Sequence, residues 1–157
     1  MAKFKMQELI VNEPITARLG AGSGSANYVT DLEIGRAVKM VGDSQYNLCA
    51  AGDLIEGFVA AVETYTADDF SIGSIQVDGR KRVILDGLQA TTGTGTCAVS
   101  DLVVAGSATV KGTALSSFCP KVCKATSQAV SLHNWRIVSL EGTGAVGQFA
   151  TIERLKG

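Results

Sequence analysis

Glycine occurs along almost the whole chain, and its spacing limits which secondary structures can form. The sequence has 18 glycines among 157 residues, and only windows 1–19, 58–72 and 113–141 are free of glycine for longer than a usual helix. A usual helix has about 11 residues, and glycine in its interior is destabilising. Valine, isoleucine and threonine are frequent between the glycines, and β-branched residues favour strands. The sequence therefore predicts a mainly β fold, a small β-barrel or β-sandwich with an N-terminal arm and at most one short helix.

Short apolar segments between the glycines are the predicted strands. Asp78 and Gly79 separate two of them and favour the positive φ angles of a two-residue turn, so a hairpin is predicted there. The strand predicted at 54–62, with Gly57 inside it, is expected to bend at a glycine or at a β-bulge. The one short helix, if it forms, is expected at 127–133, where Ser127 would cap it. The predicted strands are 34–41, 54–62, 74–77, 82–85, 99–104, 108–110, 135–140 and 148–154.

The N-terminal part of the chain is expected to be separate from the β domain. Residues 20–25 (GAGSGS) have the composition of a flexible hinge. Residues 1–25 are therefore predicted to form an arm and hinge, and residues 26–157 a single β domain. The alternative is that residues 1–19 supply the first strand of the domain. The apolar side chains of the arm are unfavourable in water, which makes them candidate partner-binding residues: Phe4, Met6, Leu9, Ile10 and Val11.

Charge and hydropathy limit the partners that the chain can have. The formal net charge is -1, and the longest basic run is Arg80-Lys81-Arg82. Nucleic-acid binding needs a basic stripe that neutralises phosphates, so no nucleic-acid partner is predicted. No run of about 20 apolar residues occurs, so no membrane partner is predicted. The N-terminal residues lack the apolar core of a secretory leader, and synthesis in the cytoplasm is expected.

The cysteines do not predict a metal site. Of the four, only Cys119 and Cys123 are close in sequence, and His133 is the single histidine. A structural zinc site usually needs a second pair of ligands. We therefore expect four reduced thiols, with no metal and no cofactor.

No catalytic motif is convincing in its sequence context. Residues 142–147 (GTGAVG) fit the dinucleotide-binding pattern, but the ten residues that follow are too few for the second strand of such a unit. A hairpin turn is predicted there instead. His133 would have to serve any Ser-His-Asp or Cys-His arrangement, and a surface or capping role is expected for it. Asp68, Asp69 and Glu63 could form a carboxylate pair, although adjacent aspartates more often occupy turns. No catalytic residue is predicted, and the chain is not expected to be an enzyme.

Three segments resemble the capsid decoration, or cement, proteins of tailed bacteriophages. They are residues 50–59 (AAGDLIEGFV), 100–113 (SDLVVAGSATVKGT) and 135–155 (WRIVSLEGTGAVGQFATIERL). The likeness covers roughly residues 34–155 as a pattern of Ala-Gly-Asp turns, short apolar strands and Gly/Thr loops. It continues with a strand that carries the only tryptophan and ends with Ile152-Glu153-Arg154.

The resemblance implies a structural virion protein on the outer capsid surface. Such proteins are small, mainly β and often trimeric, and they bind the major capsid protein and bridge neighbouring capsomers. Three alternatives stay open. The first is a head-fibre or host-surface binding domain, and the second is a small β-barrel hydrolase that uses Asp68 or Asp69. The third is a barrel that encloses an apolar ligand.

Overall fold

The computed structural model describes residues 15–20, 28–65, 70–108, 111–115 and 118–155, and within these ranges the prediction of a mainly β fold is confirmed. The strands are β1 (Ile15–Leu19), β2 (Ala37–Gly42), β3 (Gln45–Leu48), β4 (Gly57–Tyr65), β5 (Phe70–Gln76), β6 (Arg80–Leu88), β7 (Thr91–Thr92), β8 (Val103–Ala105), β9 (Lys121–Lys124), β10 (Trp135–Leu140) and β11 (Phe149–Arg154).

The first sheet contains β1 to β5, and its pairing runs full circle in the order β1, β3, β2, β4, β5 and back to β1. The longest contacts are antiparallel, between β4 and β5 and between β5 and β1. The parallel pair of β1 and β3 is short and joins Arg18 to Gln45 and Leu19 to Tyr46. The ring encloses its own small core, in which Leu19, Val38 and Ile75 are fully buried.

The second sheet contains the remaining strands in the order β10, β11, β6, β9, β8, with β7 paired to β6. β6 lies at its centre, antiparallel to β11 and parallel to β9. A single bridge between Leu102 and Arg136 connects the two outer strands, supported by a hydrogen bond from Ile137 N to Asp101 O of 2.9 Å. The edges of this sheet are therefore joined to each other.

One hydrophobic core spans the two sheets. Phe58 and Ala37 from the first sheet pack in the same cluster as Val83, Trp135 and Ile152 from the second. Burial of apolar area stabilises by about 25 cal/mol per Å², so this shared cluster holds the sheets together as one packed body.

The chain bends at Asp78-Gly79, but the predicted two-residue hairpin turn is wrong, because Asp78 lacks the positive φ that such a turn needs. Gly79 has the expected positive φ of 80°. β5, which precedes the turn, pairs with β1 and β4. β6, which follows it, pairs with β7, β9 and β11. The turn is the crossing point from the first sheet to the second, because each flanking strand has its partners elsewhere in the chain.

Other local predictions have mixed outcomes. Residues 142–147 do form the connection between the antiparallel strands β10 and β11, as predicted. β4 begins at Gly57 and does not bend at that glycine, but its register shifts between Val59 and Ala61, as the predicted alternative of a β-bulge would do. The expected helix at 127–133 is a single 3-10 turn, Val130–Leu132, with Ala129 and not Ser127 at its N-cap. A second 3-10 turn, Asp31–Glu33, was not predicted.

The predicted N-terminal arm, residues 1–25, has a different outcome before and after residue 15. Ile15–Leu19 form β1 and pair along their whole length with β5, so this part of the segment belongs to the first sheet. Any arm is confined to residues before Ile15, which lie outside the described residues. In the part of the chain that the structure describes, no helix is long and apolar enough to cross a membrane.

Candidate functional site

A cleft of about 310 Å³ opens between the two sheets. The first sheet supplies the end of β3 and the start of β2, and the second supplies the residues after β8 and the start of β9. Its walls are mostly small or apolar, and three basic side chains line it. The lining residues that matter here are Arg36, Ala37, Ala105, Lys111, Leu115 and Lys121.

The segment 111–113 is anchored at the cleft by Glu33 and Arg36. Glu33 is fully buried, and its Oε1 accepts a hydrogen bond of 2.7 Å from Gly112 N. Arg36 is also buried, and its guanidinium donates to the carbonyl of Thr113 at 2.9 Å. The other carboxylate oxygen of Glu33 accepts from the backbone and hydroxyl of Thr30, which caps the 3-10 turn.

These contacts fix the ionisation of the pair. Burial acts to raise the pKa of Glu33, but hydrogen bonds from Thr30 and Gly112 and the charge of Arg36 outweigh it, so the pKa lies below its usual 4.5. Burial lowers the pKa of Arg36 from 12.5, and Glu33 opposes that effect. An arginine stays protonated at neutral pH in any protein environment. The wall of the cleft therefore carries the positive charge of Arg36, which the ionised Glu33 behind it offsets.

Lys121 and Lys111 bring two further positive charges to the cleft. The ammonium of Lys121 lies 3.8 Å from Asp86 Oδ1 and 3.4 Å from Ser107 Oγ. Asp86 is buried, and its Oδ2 accepts from Ser107 N at 2.7 Å. The ammonium of Lys111 lies 5.4 Å from the ring centre of Tyr28, a cation–π distance. Each basic side chain is thus held by a neighbour at the rim or wall.

Phe118 stands beside the cleft in an unusual backbone conformation. Its φ is 53°, a left-handed value that is uncommon for a bulky residue. Its side chain is 56% exposed. Gly35 packs so closely on the backbone of Phe118 that a Cβ added there would lie 2.5 Å from the Phe118 carbonyl oxygen. Gly35 therefore constrains the backbone of Phe118, while the side chain stays exposed at this loop.

A second surface feature is an exposed apolar turn. In the 3-10 turn Val130–Leu132, the side chains of Val130 and Leu132 are 63% and 56% exposed. The amide of Asn134 donates to Ile55 O and Glu56 Oε1 at 3.1 Å each. They join the residue that follows His133 to the 55–56 segment. We call Val130 and Leu132 the apolar turn patch.

The candidate partner-binding residues of the sequence analysis cannot be placed in the structure. Phe4, Met6, Leu9, Ile10 and Val11 lie outside the described residues, as do Asp68 and Asp69. Glu63 is at an exposed position on β4. His133 is the C-cap of the 3-10 turn Val130–Leu132. The structure therefore brings none of the described candidates together into a catalytic arrangement.

The four cysteines are buried, and none of them forms a disulfide. Burial, followed by the nearby charge of Asp53, raises the pKa of Cys49 to about 12. Burial and Asp86 raise the pKa of Cys123 to about 11. A thiol reacts and binds metal as the thiolate, so these thiols are poor nucleophiles at neutral pH. Within the described ranges, no group of three or more histidine, cysteine or carboxylate side chains is placed to hold a metal.

The chain matches no protein-family model, no curated protein and no solved structure in comparisons of sequence and fold.

Sequence reasoning missed the basic cleft because its parts are far apart in the chain. Arg36 and Thr113 are separated by 77 positions, and Lys121 follows later still. Each basic residue alone has the sequence context of an ordinary surface residue. A weak local signal was available in Lys111-Gly112-Thr113, a basic turn within an otherwise apolar region.

Proposed function

We propose that this protein is a structural component of a bacteriophage virion that binds the outer surface of the capsid and bridges capsomers. The proposal combines the sequence resemblance with the apolar turn patch, which is the observation that carries it. Apolar side chains exposed together on a rigid surface are typical of protein–protein contact sites.

The exposure of the patch indicates that it binds a partner rather than stabilises the fold. The turn Val130–Leu132 contains no buried residue, so its apolar side chains contribute little to the core. Its backbone is nevertheless fixed, because Asn134 is hydrogen bonded to the 55–56 segment. A fixed apolar surface binds a partner with little loss of conformational entropy.

The body behind the patch suits a clamp between capsid subunits. The two sheets share one core and are joined at Trp135, Phe58 and their neighbours. A clamp must transmit force between the subunits that it contacts, and a densely packed interior of low compressibility does this well. The proposed partners are the major capsid protein and sister copies in a trimer.

A binding assay with capsid shells tests the proposal. Shells assembled from the major capsid protein of the phage that carries this sequence would be sedimented with the purified protein. We expect saturable co-sedimentation, and antibodies against the protein should label the outside of intact particles. The Leu132→Ser variant should bind about tenfold more weakly, since interface anchors contribute more than 1 kcal/mol each. Val146→Ser, which alters an exposed residue of the 142–147 loop, is the matched control and should bind normally.

Light scattering tests the trimer separately. At micromolar concentration, the expected mass is three times the 16.3 kDa of one chain. A protein that stays monomeric both in solution and on particles would contradict the trimer, and a protein absent from purified particles would contradict the virion role.

A head-fibre or host-surface binding domain is the second candidate, and the exposed ring of Phe118 is the observation that favours it. Exposed aromatic side chains are common anchors in recognition surfaces. Antibody labelling separates the two functions, because a fibre domain would be labelled at projections and a decoration protein over the whole shell.

A further inference from the structure

We propose that the side-chain amine of Lys81 is a nucleophile that accepts an acyl group from a small thioester. Lys81 is the middle residue of the basic run Arg80-Lys81-Arg82, which the proposed capsid binding does not use. The site is formed by the folded chain alone, so its chemistry can be tested without a capsid.

The alternation of side chains along β6 separates Lys81 from the two arginines. Successive side chains of a strand point to opposite faces of the sheet. Val83 and Leu85, which share the face of Lys81, are buried in the core, whereas Arg80 and Arg82 are exposed. The run is uniformly basic in the sequence, but the strand directs one amine toward the core side of the sheet.

Lys81 also differs from its neighbours in having no acidic partner. The two arginines of the run form ion pairs with glutamates, at 3.3 and 2.6 Å. Lys39, Lys121 and Lys124 each lie beside an aspartate. Among the residues that the structure describes, no carboxylate forms an ion pair with Lys81. A nearby carboxylate would favour the protonated form of the amine, and Lys81 lacks that effect.

The surroundings of the amine are apolar. Its nitrogen lies 5.7 Å from the ring centre of Phe58, a fully buried residue on β4. This distance is close to the outer limit of about 6 Å for a cation–π attraction, so the ring gives the charged form little support. Burial lowers the pKa of Lys81 from its ordinary 10.5, and the Cys119 side chain acts in the opposite direction. The neutral amine, which has the nucleophilic lone pair, is therefore favoured.

The amine is nevertheless open to a small reagent. Lys81 is only partly buried. The fully buried polar atoms that lack a hydrogen-bond partner do not include its nitrogen, and the described residues give that nitrogen no hydrogen bond. The nitrogen therefore reaches solvent. An amine that is partly desolvated and still accessible is the arrangement expected of a reactive lysine.

The surroundings also determine the class of acyl donor. In the described part of the chain, no carboxylate or histidine is bonded to the amine to act as a general base. The donor must therefore be activated already, as a thioester is. The lone pair of Nζ attacks the carbonyl carbon, a C–N bond forms, and the C–S bond breaks as the thiolate leaves. The proton lost by the nitrogen goes to the thiolate or to water. The product is a neutral amide, which is less costly to bury beside Phe58 than an ammonium.

Acetylation of the wild-type protein by S-acetyl-N-acetylcysteamine at neutral pH, mapped by mass spectrometry, tests the inference. The internal comparison is Lys39, whose hydrogen bond to Asp53 raises its pKa and whose side chain is 38% exposed. In the native protein, Lys81 should be acetylated faster than Lys39. In denaturant, the two lysines should react at similar rates, because both then have ordinary surroundings. Lys81 should also react faster in the native protein than in denaturant.

A pH series and one variant complete the test. The acetylation rate of Lys81 should level off at a lower pH than that of Lys39, since the neutral fraction of an amine sets its rate. Lys81→Arg keeps the positive charge but removes the nucleophile, so it should abolish the fast labelling and leave the rate at Lys39 unchanged. If this variant does not fold, the comparison of native and denatured wild-type protein decides the question.

Three results would overturn the inference. They are slower acetylation of Lys81 than of Lys39 in the native protein, faster acetylation of Lys81 in denaturant than in the native state, and identical pH profiles for the two lysines. The second result would mean that burial only shields the amine. Failure of the capsid-binding assay with fast acetylation of Lys81 would count against the proposed function alone.

Discussion

The ring of Phe58 meets the ring of Trp135 edge to face, with centroids 5.1 Å apart and planes at 72°. Phe58 lies on β4 of the first sheet and Trp135 on β10 of the second, so this contact joins the two sheets. Both side chains are fully buried. The geometry is the favourable one for aromatic pairs, which adds about 0.5–1.5 kcal/mol to the burial of their area.

Phe58→Ala is therefore expected to destabilise the whole protein. The loss should be about 3–5 kcal/mol, the usual cost of truncating a buried aromatic residue. Chemical unfolding followed by the fluorescence of the single tryptophan measures it. Phe149→Ala provides the comparison, since Phe149 is only partly buried and should cost less. Equal losses would show that the Phe58–Trp135 contact has no special role.

Glu33→Gln should lower the free energy of unfolding at neutral pH. It should also make that free energy fall less steeply as the pH is lowered. Loss of charge-assisted hydrogen bonds at a buried site costs about 1–3 kcal/mol at neutral pH. The pKa of Glu33 is held below 4.5 by its hydrogen bonds and Arg36, against the effect of burial. Its contribution to stability is therefore complete above pH 4.5 and is lost as the pH falls through the lowered pKa.

Unfolding curves of both proteins between neutral pH and acid check the Glu33 prediction. The wild-type protein should lose stability more steeply below pH 4.5 than Glu33→Gln does. Glu141→Gln is the control, because Glu141 pairs with Arg82 at the exposed surface and should matter less. Parallel curves for wild type and Glu33→Gln would contradict the prediction.

Gly144→Ala should be much more damaging than Gly147→Ala. The two glycines have the same positive φ of 83°, but a Cβ on Gly144 would lie 1.9 Å from Cys97 O, whereas one on Gly147 meets nothing within 4 Å. Gly147→Ala therefore reports the backbone strain alone, about 1–2 kcal/mol. Thermal unfolding of the pair separates strain from steric overlap, and similar melting temperatures would contradict the packing seen here.

The four thiols should resist alkylation in the native protein. All four are buried, and burial raises the pKa of Cys49 to about 12 and of Cys123 to about 11, so little thiolate forms at those two sites near pH 8. Iodoacetamide should label all four cysteines in denaturant and almost none without it, as mass spectrometry would show. Native mass spectrometry should also find no zinc. Rapid native labelling, or bound zinc, would contradict this prediction.

Deleting residues 1–12 should leave a folded protein with near-native thermal stability, because β1 begins at Ile15. Capsid binding or trimer formation should weaken strongly if Phe4, Met6, Leu9, Ile10 and Val11 contact a partner. Deleting residues 1–20 is the contrasting variant, since it removes the pairing of β1 with β5 and the buried Leu19. That protein should not fold. Unfolding of the shorter deletion would mean that the segment belongs to the domain.

The sequence by itself determined the class of fold and much of the local structure. Glycine spacing and β-branched residues excluded long helices, and the strand Trp135–Leu140 was predicted with its observed bounds. The turn at Gly79 and the hairpin connection at 142–147 were also predicted correctly. These features depend on φ preferences and on residues close in sequence, so the local pattern contains the necessary information.

Only the tertiary structure decided which strands pair and where the basic cleft lies. Asp78-Gly79 is compatible with a hairpin, yet β5 and β6 have better partners in different sheets because each buries its apolar face there. The cleft joins Arg36 to Lys111 and Lys121 from distant parts of the chain. Neither the pairing of the strands nor the position of the cleft is set by residues that are adjacent in sequence. Both follow from the burial of apolar surface between sheets, which is a property of the whole chain.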